Sequence, residues 1–300
     1  MVKVKFGIVG TGAIAKMHAE ALRLAGNAEL YIVYDKIPER AIEFAKKNNC
    51  RVASSFEELL ASEVQALTIA TPSGLHAEVA IPAARAGKHI LCEKPLEVTV
   101  SKTNDLVRTC ESCNVRLSAV FQSRFSQAVQ TIKKAVDAGR FGEPVLATAS
   151  IRWHRTPEYY ASATWRGTWS LDGGGALMNQ GIHTVDLLLY FNGDVSEVTG
   201  RLARLMHKSI EVEDTVVAIL KFKNNSLGTI EASTACAPGF PRRVELSGTK
   251  GSVILEGDRI TRWTDEWQTG WVDDGYGAKT ESYPLSQGYE TFTDSIIPHA

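Results

Sequence analysis

The chain has 300 residues, 44% of them hydrophobic and 22% charged, with a formal net charge of -1. These values exclude a disordered chain and give no electrostatic pull toward nucleic acid or an anionic membrane. No run of some 18 apolar residues occurs, so neither a membrane span nor a signal peptide is expected and the cytoplasm is the expected compartment; the length predicts two domains.

Residues 4–9 read as a buried strand, and the turn after it, Gly10-Thr11-Gly12-Ala13-Ile14-Ala15, has the pattern G-x-G-x-x-A. Helix formers occupy 13–25, so the glycines fall at a strand-to-helix turn, where backbone N–H groups face a bound pyrophosphate. Gly10 allows the sharp turn, Gly12 leaves room for the phosphates, and Ala15 lets the helix pack against the sheet. Ala13 and Ile14 open the helix beside the same group. Asp35 follows twenty residues after Ala15, closing a strand over 30–34. A carboxylate there accepts both ribose hydroxyls and repels a 2′-phosphate, so the expected cofactor is NAD rather than NADP.

A helix with Pro38 in its first turn runs to about Lys47, a short strand covers 50–52, and Ser55-x-x-Glu58 is a capping box for a helix over 56–61. A strand at 66–70, a helix at 75–86 closed by Gly87, a strand at 89–92, a helix at 101–112 and a strand at 116–120 complete the alternation. Such an order builds a parallel sheet covered on both faces, with ligands at the carboxyl ends of its strands. From about Gly142 the pattern changes. Strands at 145–153, 215–222, 227–234, 243–247 and 252–256 follow one another, with hairpin turns at Asn224-Asn225 and Gly248-Thr249-Lys250-Gly251. One helix, over 175–190, interrupts them. The expected fold is α/β: a Rossmann doubly wound parallel sheet over 1–120, then an α+β domain over 121–300 with a large, mainly antiparallel open sheet. Of the five cysteines, Cys110 and Cys113 form C-x-x-C inside a helix with no second ligand pair, so reduced thiols and no metal are expected.

Two further motifs close strands of the first domain: Thr71-Pro72-Ser73-Gly74-Leu75-His76 and Glu93-Lys94-Pro95. With the glycine turn, and with Gly173-Gly174-Gly175 ahead of His183, they resemble the glucose-fructose oxidoreductase/inositol dehydrogenase (Gfo/Idh/MocA) family over essentially the whole chain. Arg152-Trp153-x-Arg155-Thr156-Pro157-x-Tyr159-Tyr160, Trp165-Arg166-Gly167-Thr168-Trp169 and Met178-Asn179-Gln180-x-x-His183 look most like the members that oxidise C3 of UDP-N-acetylglucosaminuronic acid. The resemblance implies an oxidoreductase moving a hydride between a secondary sugar hydroxyl and NAD. A free-sugar or inositol dehydrogenase, a nonenzymatic NAD-bound sensor and an NAD-dependent glycosidase or eliminase are the alternatives.

Oxidising an alcohol needs a base for the hydroxyl proton and a cation for the developing alkoxide. Lys94 and His183 can supply them: the resemblance puts the Lys94 ammonium on the reacting oxygen and makes His183 the acid/base, alone or with Lys94. Many family members carry an aspartate four residues before this histidine, one helical turn away. This chain has Asn179, which can hydrogen-bond substrate or histidine but cannot stabilise an imidazolium by charge. Asp186 is expected to cap or to ion-pair. Thr71, Ser73 and His76 are expected along the cofactor, with helix capping as the competing role of Ser73, and Glu93 near the nicotinamide ribose. Gln122 and Arg124 either contact nicotinamide or substrate or join the domains. Arg155, Tyr159, Tyr160, Trp165 and Arg166 suit an acidic nucleotide sugar, or else cover the sheet or a subunit contact. The resemblance implies a homodimer or homotetramer through the open sheet. It also implies a chain continuing past 298–300, which read as the start of a helix.

Overall fold

The computed structural model describes residues 3–265. The chain forms two compact units that divide between Val120 and Phe121, but two later segments, Tyr160–Gly174 and Ile210–Val212, pack with the first. A second domain running without interruption over 121–300 is therefore corrected. Backbone bonds tie these segments down: Gly74 N–H donates to Leu171 O at 3.0 Å and Glu211 N–H to Gly167 O at 2.8 Å.

The first unit contains β1 (Val4–Val9), α1 (Ala13–Leu24), β2 (Ala28–Tyr34), α2 (Pro38–Asn48), β3 (Arg51–Val52), α3 (Phe56–Ala61), β4 (Ala66–Ile69), α4 (His76–Arg85), β5 (His89–Cys92), α5 (Val100–Ser112) and β6 (Leu117–Ala119). Its strands are parallel in the order β3-β2-β1-β4-β5-β6. Apolar side chains alternate across the sheet: Leu67 and Ile69 pack with Ala80 and Leu106 on one face, Ile8 and Val33 with Ala15 and Phe44 on the other. The chain leaves β1 for one side and β4 for the other, so the loops after these neighbours part at the switch point that α/β sheets use for ligands. Caps follow the sequence: Ser55 accepts from Glu58 N–H at 3.1 Å at the head of α3, and Pro38 opens α2. Cys110 is buried within α5, and burial pushes its thiol up, away from the reactive thiolate.

The second unit holds α6 (Gln127–Asp137), β7 (Pro144–Arg152), most of α7 (Pro157–Ala161), α8 (Ile182–Asn192), β8 (Val195–Ala203), β9 (Thr215–Phe222), β10 (Leu227–Ser233), β11 (Arg243–Gly248), β12 (Gly251–Glu256) and β13 (Arg259–Asp265). Their order is β13-β12-β11-β7-β10-β9-β8, antiparallel except for β7 beside β10. Ile132, Leu187, Phe191, Phe222 and Leu255 build the core under α6 and α8. On the opposite face of the sheet Leu146, Val217, Ile219 and Leu227 are exposed.

The helix expected over 175–190 is corrected. A π-turn, Ala176–Gly181, precedes α8, and α6, α7, β8 and β13 add to the expected elements. Residues 298–300 lie outside the described residues. No helix among the described residues is long and apolar enough to cross a membrane.

Candidate active site

The turn between β1 and α1 has the geometry its glycines call for. Gly10 has φ +87°, and a Cβ on it would stand 2.7 Å from the carbonyl oxygen of Ala70. Gly12 differs: among the described residues a Cβ there would meet nothing within 4 Å, and no side chain caps α1. The helix start, with Ala13 and Ile14 as its first residues, thus offers its positive end to an open cradle. Asp35 stands beside it: Oδ2 accepts from Thr11 N–H at 2.8 Å and Thr11 Oγ1 at 2.9 Å, and Oδ1 from Ile37 N–H at 2.9 Å. After β4, Thr71 Oγ1 is buried and has no hydrogen-bond partner among the described residues. An open cradle, a fixed carboxylate and an orphaned hydroxyl fit a dinucleotide.

Ser73 is buried, and α4 starts from Leu75 without a side-chain cap, so Ser73 does not cap it. His76, expected along the cofactor, braces two loops. Its ring, 1% exposed, reaches Pro95 O through Nδ1 at 2.8 Å and Thr71 O through Nε2 at 3.0 Å. Burial lowers its pKa against the pull of those carbonyls, and a neutral ring donates to only one of them at a time.

Glu93 is buried and meets His18 Nε2 at 2.8 Å, while its second oxygen accepts from Lys94 N–H at 3.2 Å. Lys94 itself is half-buried, and burial pushes its amine below the ordinary lysine range; Glu93 and Asp172 pull it back up, and Arg166 pushes it down again. Asp172 is 2% exposed and accepts from Gly167 N–H at 2.8 Å. Arg166 lies over the Trp165 ring at 4.6 Å and donates to Ser162 Oγ at 3.1 Å. Tyr160 is buried in this unit. The sequence reading missed His18 and Asp172. His18 had a signal: it shares the buried face of α1 with Ala15, Ala19 and Leu22, an inward polar side chain that needs a partner.

In the second unit, Asn179 and Gln180 lie on the π-turn and His183 on the first turn of α8, half-buried and edge-on to Phe121 with centroids 5.9 Å apart. Asn179 thus lies on the π-turn and His183 beyond it, where one regular helix was expected to carry both. Arg155 donates to Gln180 Oε1 through Nε at 3.0 Å and Nη2 at 2.6 Å, and Gln180 Nε2 donates to Tyr159 OH at 2.8 Å and Asn179 Oδ1 at 2.5 Å. The Arg155 guanidinium also stacks on Trp153 and Tyr159, 5.4 and 5.1 Å from their centroids. Gln122 is exposed on the turn after β6. Arg124, expected either to contact nicotinamide or substrate or to join the domains, forms a two-pronged ion pair with Asp186 at 2.8 and 2.5 Å, so its fork is already engaged.

The cofactor cradle on a doubly wound sheet, with a lysine of lowered pKa after β5, defines a class: an NAD-dependent oxidoreductase. Residues 4–121 match the model of an oxidoreductase family with an NAD-binding Rossmann fold, and residues 129–254 the GFO/IDH/MocA C-terminal domain. The chain belongs to the Gfo/Idh/MocA family. It is 30% identical to inositol 2-dehydrogenase of Rhizobium meliloti over 262 residues, covering 85% of this chain and 76% of that protein. It also resembles the WlbA dehydrogenase of Bordetella pertussis, solved with NADH and UDP-GlcNAcA, with 38% identity and a TM-score of 0.84 over 88% of this chain and 83% of that one. The WlbA dehydrogenase of Chromobacterium violaceum, solved with the same two ligands, gives 31% identity and a TM-score of 0.86 over 100% and 88%.

Proposed function

We propose that this enzyme oxidises a secondary hydroxyl of an acidic nucleotide sugar, C3 of a UDP-sugar uronate, with NAD as the oxidant. The observation that carries the acidic substrate is Arg155. Its guanidinium is held by an amide and two aromatic rings and meets no carboxylate among the described residues, which leaves its charge for an anion. The UDP-GlcNAcA carried by the two WlbA structures supports the same class.

NAD, when bound against the glycine turn, supplies the two-electron oxidant. Lys94 donates a hydrogen bond to the substrate oxygen and stabilises the developing alkoxide. His183 takes the hydroxyl proton. Asn179 orients the substrate by hydrogen bonding, without the charge of an aspartate. Tyr159, Trp165 and Arg166 complete the binding surface. The exposed sheet face around Val217 and Ile219 joins a second copy of the chain, and the five free thiols suit the reducing cytoplasm.

NADH formation measured across UDP-GlcNAcA, other UDP-sugars, free uronic acids, hexoses and inositols tests the assignment. Turnover confined to uridine diphosphate sugars, competitively inhibited by UDP, is the expected result. Turnover of inositol without inhibition by UDP would favour the inositol dehydrogenase reading, for which the Rhizobium relative stands.

A further inference from the structure

We propose that Glu213 is the positioning residue of the π-turn, the group that fixes where Asn179 and His183 stand in the second unit; this rests on the roles given to those two residues above. Glu213 lies two residues before β9 and is 6% exposed. A carboxylate so buried must be matched by donors. Three successive amides end on it. Gly175 N–H donates to Oε2 at 2.9 Å, Leu177 N–H to Oε1 at 3.0 Å, and Ala176 N–H to the Glu213 carbonyl oxygen at 3.0 Å.

These are amides that a helix start leaves without an internal partner. Gly175, at the cap position, has no side chain to offer them. A residue 38 positions away takes the role instead. The link continues inward: Gly175 O accepts Asn179 N–H at 3.0 Å, and α8 begins at Ile182 with His183 second. A π-turn carries one residue more than the α-helical turn it replaces, and one residue is about 100° of rotation in an α-helix. The placing of this turn therefore decides which way the side chains of 176–183 face. By gripping Gly175, Ala176 and Leu177 together, Glu213 anchors its head.

Glu213→Gln keeps one acceptor but turns an amide donor toward a backbone donor; Glu213→Asp keeps the charge and loses one carbon of reach. Both are assayed for NAD reduction with UDP-GlcNAcA as the probe, beside His183→Ala and the core variant Ile230→Val. The expected result is a kcat lowered by ~10-fold or more and a displaced pH profile in both Glu213 variants, with NADH affinity kept. Ile230→Val loses melting temperature only. Hydrogen exchange of the peptide over 175–183, which needs no substrate, should quicken in both Glu213 variants and not in Ile230→Val. Glu213 variants with lowered melting temperature but wild-type kcat and pH profile would overturn the proposal. So would unchanged exchange at 175–183, or failure of both variants to fold, since Glu213 would then serve folding itself. His183→Ala separates the two levels: if it keeps full turnover, the active-site reading falls; if it is inactive while the Glu213 variants are active, only the positioning role falls.

Discussion

His18 Nε2 lies 2.8 Å from Glu93 Oε1, and both side chains are buried, so the helix that begins at the glycine turn is joined directly to the residue preceding Lys94. Burial opposes the charge on Glu93, but the bond and charge of His18, with the Lys94 amide, outweigh it and hold the carboxyl below its ordinary range. A carboxyl lowered on folding contributes stability above its unfolded pKa and loses it as pH falls through the folded value. His18→Ala should cost about 1–3 kcal/mol at neutral pH by leaving the buried Glu93 carboxylate without its side-chain partner. Urea unfolding should show that cost shrinking as pH drops through the carboxylate range. A cost that grows with acidity would contradict the pairing.

The two glycines of the turn should fail differently. Gly10→Ala forces a Cβ against Ala70 O at a positive φ, and such a strained site costs about 1–3 kcal/mol. The methyl of Gly12→Ala meets nothing within 4 Å among the described residues and should leave the melting temperature unchanged while weakening NADH binding by ~10-fold or more, because it fills space meant for phosphate. Calorimetry and NADH fluorescence titration read the two effects, and a Gly12→Ala protein with wild-type NADH affinity would remove the cradle from its assigned role.

Arg124→Ala should lower stability by about 1–3 kcal/mol, since Asp186 would keep a buried charge without its partner. Steady-state kinetics should show little change in KM for the sugar. A large rise in KM with unaltered melting temperature would return Arg124 to the substrate.

The first unit was legible because its signals are local. A strand, a turn needing positive φ and a carboxylate at the end of the next strand are read along a few residues, and Ser55 and Pro38 announce their helices. The second unit hides more. Strand β8, Val195–Ala203, is exposed along most of its length and shows no buried alternation, so no hydrophobic period betrays it. The π-turn is invisible from the glycine run, because the carboxylate that holds it lies 38 residues away. Glu93 likewise gains its partner across 75 residues. Arg124 and Arg155 look alike in sequence, and only the packed neighbours, Asp186 for one and Gln180 for the other, tell the engaged guanidinium from the one left with its charge.

The central claim is that Lys94 works on the reacting hydroxyl, and the most direct measurement is turnover of UDP-GlcNAcA with NAD by the wild type and by Lys94→Ala across pH. Because burial holds the Lys94 amine below the ordinary lysine range, the ammonium that stabilises the alkoxide is lost at lower pH than in a solvated lysine. The wild-type rate should fall with rising pH at a midpoint below that range, and Lys94→Ala should lose ~10²-fold or more in kcat together with that fall, while binding NADH normally. A Lys94→Ala enzyme that turns over at near wild-type rate with the same pH profile would contradict the account.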